Sequence, residues 1–165
     1  MNQLYAEAGV KRKDDVKSMG LRALLIAGVI LGVLLILLGG YFGIAGIVLV
    51  VVLIWLYPRL NVEYEYVFVD GQIDFDKITG KSKRKTMLRI DMEQVEIVAP
   101  QSSHALDGYT YVQLVNKDFS SNDKNSKPYI IIATVEDKKY QISFEPSEKM
   151  LAMMKQKSPR KIAQY

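Results

Sequence analysis

The period of the hydrophobic pattern changes twice along this chain. Up to Arg22, apolar residues are scattered among charges. Residues 23–58, ALLIAGVILGVLLILLGGYFGIAGIVLVVVLIWLYP, then contain no charge at all, whereas a helix packed on a soluble core keeps a polar face. From Val62 onward the pattern alternates, as in VEYEYVFV, where Val62, Tyr64, Tyr66 and Phe68 share one face and Glu63 and Glu65 the other. Near the C-terminus it lengthens again, with Met150, Leu151 and Met154 forming a stripe at helical spacing. Membrane segment, β domain and terminal amphipathic helix are predicted in that order.

The apolar block is too long for one crossing. About 36 residues make a helix of roughly 54 Å at 1.5 Å per residue, against a hydrocarbon core of about 30 Å. Two spans, 21–38 and 41–57, fit better, with Gly39, Gly40 and Gly43 freeing the backbone for the reversal. Lys11, Arg12, Lys13, Lys17 and Arg22 precede the first span and Arg59 follows the second, while the connecting GGYFG is uncharged. By the positive-inside rule both termini are expected in the cytoplasm, with Tyr41 and Phe42 at the outer interface and Trp55 and Tyr57 at the inner one. Gly28-x-x-x-Gly32 and Gly39-x-x-x-Gly43 have the spacing that lets membrane helices approach closely. Packing within one hairpin is the simplest use of these glycines, and a homo-oligomer the other. The leader, residues 1–20, carries Leu4, Tyr5, Ala8, Val16 and Met19 among charges, which suits a short interfacial helix or a partly ordered segment.

The polar region, residues 61–165, reads as about seven antiparallel strands closed by one helix. Strand one ends at the hairpin signal Asp70-Gly71, and strand two puts Ile73 and Phe75 inward with Asp74 and Asp76 on a solvent face. Further strands are predicted over residues 85–91, 94–98, 109–116, 128–136 and 139–144, with a polar loop from 116 to 127 expected to be mobile. Ser147 is a candidate N-cap, Lys155 and Lys157 suit the C-terminal end of the helix dipole, and Pro159 stops the helix. The fold class is therefore an α+β membrane protein, a helical hairpin followed by a barrel-like antiparallel domain with a covering helix.

Composition then removes several functions. The chain has no cysteine and one histidine, which excludes thiolate chemistry and a multi-histidine metal site within one chain. No P-loop, G-x-G-x-x-G or H-E-x-x-H occurs. Ser102, Ser103, His104 and Asp107 lie close together in one loop, but triad members need opposed geometry that neighbours on a short loop rarely supply. No catalytic residue, metal or cofactor is expected. After residue 60, sixteen basic residues face fifteen acidic ones, so a general basic field for nucleic acid is absent and the basicity is local.

A resemblance rests on YEYVFVDGQIDFDKITGKSKRKTMLRIDMEQVEIVAP, the preceding apolar hairpin and the ending FEPSEKMLAMMKQKSPRK. Together they resemble a family of uncharacterised small membrane proteins of Firmicutes bacteria, over nearly the whole chain. The last 105 residues are similar to bacterial pleckstrin-homology-like membrane proteins, in which a strand, a turn, a second strand ending in glycine and a basic third strand recur. The resemblance implies a PH-like fold and no particular activity.

One local feature remains. Lys81, Lys83, Arg84 and Lys85 crowd five positions of a chain whose net charge is only +4. Strand one starts a few residues beyond the membrane exit and runs outward roughly 26 Å at about 3.3 Å per residue, so strand two returns and its basic turn is expected near the membrane. There, with Arg59, it is either a solvated turn that only enforces topology, or a contact for anionic headgroups, each cation gaining about 1 kcal/mol when close to the surface, or for an acidic protein. The expected function is a membrane-anchored, non-enzymatic binding or scaffolding module in the cell membrane, with anionic lipid and an unidentified protein as partners. An accessory subunit of a larger complex is the alternative, and an enzyme ranks behind both.

Overall fold

The structure is a computed structural model and describes residues 4–163. It divides into two compact units, one of residues 13–62 with 79–83 and one formed by the remainder.

The first unit is a helical hairpin. Helix α1 (Val16–Leu38) starts at Asp15, whose carboxylate accepts from the Val16 N–H at 2.7 Å. Helix α2 (Gly40–Leu56) follows after Gly39 and continues into a 3-10 turn at Tyr57–Leu60. Gly39 and Gly40 have φ of 71° and 57°, a left-handed pair that glycine adopts without a steric penalty. Both helices are long and apolar enough to cross a membrane, and Leu24, Ile30, Leu37, Ile44 and Ile54 are among many large apolar residues left exposed along them. That surface supports a membrane protein.

Small residues set the distance between the helices. A Cβ on Gly46 would lie 2.5 Å from the Gly32 carbonyl oxygen, and one on Gly32 would lie 2.6 Å from Val50 Cγ2. The Gly28 and Gly32 face is therefore filled by α2 of the same hairpin, with Leu53 packed over Gly28. Gly43 lies beside the Ile36 carbonyl. At the open end Arg22 joins both arms, pairing with Asp14 at 2.9 Å and donating to Asn61 Oδ1 at 3.0 Å.

Among the described residues the second unit contains eight strands in two four-stranded sheets. The first has the order β1 (Tyr5–Lys11), β2 (Val62–Val69), β3 (Gln72–Thr79), β4 (Lys83–Asp91). The second has β5 (Val95–Pro100), β7 (Tyr129–Val135), β8 (Lys138–Phe144) and, at its edge, β6 (Val115–Asp118). Helix α3 (Glu148–Lys157) closes the chain, with Ser147 capping the Met150 N–H and with Met150 and Met154 fully buried. The alternation of β2 and β3 is realised: Tyr66, Phe68, Ile73 and Phe75 are all inaccessible. Tyr66, Phe75, Phe119 and Phe144 form one aromatic cluster with ring centroids 5.0–5.8 Å apart. Burying one such ring is worth about 1.5–3 kcal/mol.

Four sequence expectations are corrected. The leader is neither an interfacial helix nor a loose segment, because residues 5–11 form β1, antiparallel to β2 from Tyr5↔Val69 to Lys11↔Glu63, with Ala6 fully buried. The strand expected over 109–116 is a 3-10 turn at His104–Tyr109 followed by irregular chain, and only β6 pairs, parallel to β8. The loop beyond it is held rather than loose: Phe119 is buried, the Tyr66 hydroxyl donates to its carbonyl, and Ser121 donates twice to Glu145 at 2.7 Å. Asp76, expected in solvent beside Asp74, is 7% exposed.

Candidate headgroup cleft

The basic turn begins where β3 ends. Gly80 and Lys81 both take φ of 63°, and the Gly80 N–H donates to the Asn61 carbonyl at 3.0 Å. This bond binds residues 79–83 to the chain leaving α2, so the turn folds with the hairpin unit. Together they line a cleft of about 500 Å³, formed by Trp55, Pro58, Arg59, Thr79, Gly80, Ser82 and Lys83. Apolar and cationic side chains both line it, and no carboxylate is among the lining residues. The Arg59 guanidinium lies 3.4 Å from the centroid of the Trp55 ring. A cation held over an indole face is worth about 0.5–2 kcal/mol and keeps its in-plane N–H groups free to donate.

The five basic residues singled out in the sequence separate. Arg59 and Lys83 line the cleft and Lys81 is exposed on the same turn, all three in the hairpin unit. Arg84 and Lys85 belong to the β unit. Lys85 is exposed on β4. Arg84 is committed elsewhere: its guanidinium pairs with Glu65 of β2 and with Asp76 of β3, the latter at 3.3 Å, forming a row across three adjacent strands. Arg89 is likewise held by Asp74, in a two-pronged pair of 2.7 and 2.6 Å that keeps the Asp74 carboxyl below its ordinary range. Among the described residues, the four-cation cluster therefore contributes three charges without an ion pair, Lys81, Lys83 and Lys85, beside Arg59.

Sequence reasoning missed Trp55 as a cleft residue and Gly46 as the partner of Gly32. Both had a signal, Trp55 in its four-residue spacing from Arg59 and Gly46 in its three-residue spacing from Gly43. Ser102, Ser103, His104 and Asp107 line one open cleft of about 610 Å³. His104 Nδ1 lies 3.2 Å from Asp107, but its side chain is 99% exposed, and Ser103 Oγ is occupied in accepting from the Ala105 N–H. No group of three or more metal-binding side chains exists among the described residues.

Two four-stranded sheets, antiparallel except for the β6–β8 pair, are followed by a C-terminal helix. The model of a bacterial PH-like domain, DUF6106, matches residues 2–164. The chain belongs to that family. The match spans the hairpin as well as the sheets, and in the chain the hairpin lies between β1 and β2. Membership suggests a module that does not catalyse. No curated protein and no solved structure matches the chain.

Proposed function

We propose that this chain is a membrane-anchored, non-enzymatic binding or scaffolding module, held at the inner leaflet by its helical hairpin with both termini in the cytoplasm. The observation that carries the reading is the pairing of β1 with β2. One strand precedes the hairpin and the other follows it, and neighbours in one sheet occupy one side of a bilayer, so two crossing helices must leave that side and return to it. The cations Lys11, Arg12, Lys13, Lys17, Arg22 and Arg59 select the cytoplasmic side for those ends. The bond from Gly80 to Asn61 supports contact of the basic turn with anionic headgroups, because it ties Lys81 and Lys83 to the exit of α2. The remaining β surface is available to an unidentified protein partner.

The absence of native cysteine makes the test direct. In cells expressing Phe42→Cys, Tyr5→Cys or Asn122→Cys, a membrane-impermeant maleimide should label only the first until the membrane is opened. Labelling of residue 5 and residue 122 from opposite sides would reject the reading. Purification in mild detergent addresses the alternative, since stoichiometric membrane partners would indicate an accessory subunit. The Gly28 and Gly32 face does not favour it, being packed within the hairpin.

A further inference from the structure

We infer that the cleft between Trp55 and Lys83 is a site for one anionic phospholipid, whose phosphate is held by Arg59 and Lys83 and whose glycerol end lies on Trp55 and Pro58. This rests on the membrane-anchored reading and goes beyond a diffuse attraction of basic residues to a charged leaflet.

Three features combine. The cleft carries two cations and no carboxylate among its lining residues, so it attracts an anion and offers nothing to a cation. Its lining combines indole and proline with guanidinium, ammonium and hydroxyl, which matches an amphiphile at the boundary between acyl chain and headgroup rather than a soluble polyanion. Its volume of about 500 Å³ lies within the range of roughly 300–1,000 Å³ for small-molecule sites.

Arg59 supplies the selectivity. Stacked on Trp55, it is already fixed in one plane and retains donors for two phosphate oxygens. Lys83, exposed and without an ion pair among the described residues, adds a second charge to the cleft. Ser82 and Thr79 also line the cleft. A choline headgroup carries the same phosphate diester but brings its own cation, which Arg59 and Lys83 repel.

Trp55 is the only tryptophan in the chain, so its fluorescence reports this cleft alone. The full chain in neutral detergent micelles is titrated with dioctanoyl phosphatidylglycerol, dioctanoyl phosphatidylcholine and inorganic phosphate. The glycerol lipid should give a saturable emission change, with the choline lipid needing at least about tenfold more. Lys83→Gln should raise the midpoint about tenfold, the usual scale for one charge-assisted contact, whereas Lys85→Gln, outside the cleft, should not move it. Arg59→Gln alters the reporter itself and is read by lipid retention in native mass spectrometry, where it should lose the bound lipid. A change that never saturates, equal midpoints for both lipids, or an unaltered Lys83→Gln titration would overturn the site. Inorganic phosphate binding with the same midpoint would make it a free-phosphate site and reject the lipid. Each of these failures would leave the cysteine-labelling result standing, so the site and the anchor fail separately.

Discussion

Replacing Arg84 with Gln separates the cations that hold the fold from those that face outward. In the native sheet the guanidinium sits between Glu65 and Asp76, whose side chains are 25% and 9% exposed, while Arg84 itself is 53% exposed. Removing it leaves two carboxylates on adjacent strands with their shared counter-charge gone, and Asp76 Oδ1 already lacks a hydrogen-bond partner. Losing one partner of a fully buried pair costs about 3–5 kcal/mol, and an exposed pair is worth under about 1 kcal/mol. A buried acid facing a half-exposed base falls between, at about 1.5 kcal/mol. For a unit of about 110 residues, each kcal/mol moves the melting midpoint by about 4 °C. Arg84→Gln should therefore lower the midpoint by about 6 °C, followed by near-ultraviolet circular dichroism of the full chain in neutral micelles. Asp76→Asn in the same background should recover at least half of the loss, and the phosphatidylglycerol titration should be unchanged. An unchanged melt together with a weakened lipid titration would refute the reasoning, since Arg84 would then be a headgroup contact and not a strut of the sheet.

Three further substitutions or conditions test the frame. Gly46→Ala places a Cβ 2.5 Å from a backbone oxygen and 2.9 Å from a backbone nitrogen, whereas Gly28→Ala meets only the flexible end of Leu53 at 2.8 Å; Gly46→Ala should lower the dodecyl-sulfate unfolding midpoint markedly and Gly28→Ala only slightly. Ala6→Asp puts a carboxylate into a fully buried position of β1, costing several kcal/mol; limited proteolysis in micelles should then cut the β unit while leaving the hairpin intact. Asp74 and Glu96 have carboxyls held below their ordinary range, by Arg89 and Lys139 respectively. A depressed folded-state value gives stability that is complete above the ordinary carboxylate range of about 4 and is lost as pH falls through the depressed values. Melts between pH 7 and pH 3 should show this loss below about pH 4, and Arg89→Gln should flatten the part due to Asp74.

The site was partly legible before the fold was known. Four cations within five residues after a β-hairpin signal are local information, and the direction argument carried the turn back toward the start of strand one; the bond from Gly80 to Asn61 is what the structure adds. Which of those cations remain free was not local. Arg84 and Lys85 are neighbours of the same sign, and only the strands at Glu65 and Asp76 distinguish them.

By itself the sequence determined the features whose cause lies within a few residues. A charge-free block of this length needs a non-aqueous surrounding and a reversal, alternation over eight residues exposes one face of β2, and serine before an amphipathic stripe starts α3. Tertiary structure alone decided the features whose cause lies far along the chain. YAEAGVK has two small residues, a glycine and two charges, no strand propensity worth the name; it is extended because the edge of β2, beyond the intervening hairpin, offers it unpaired N–H and C=O groups. Asp76 follows the alternation of its strand and still lies buried, because the groups around it come from β2 and β4. Strand pairing and ion pairing are contacts between distant residues, and a local pattern specifies which face a residue takes but not what it meets there.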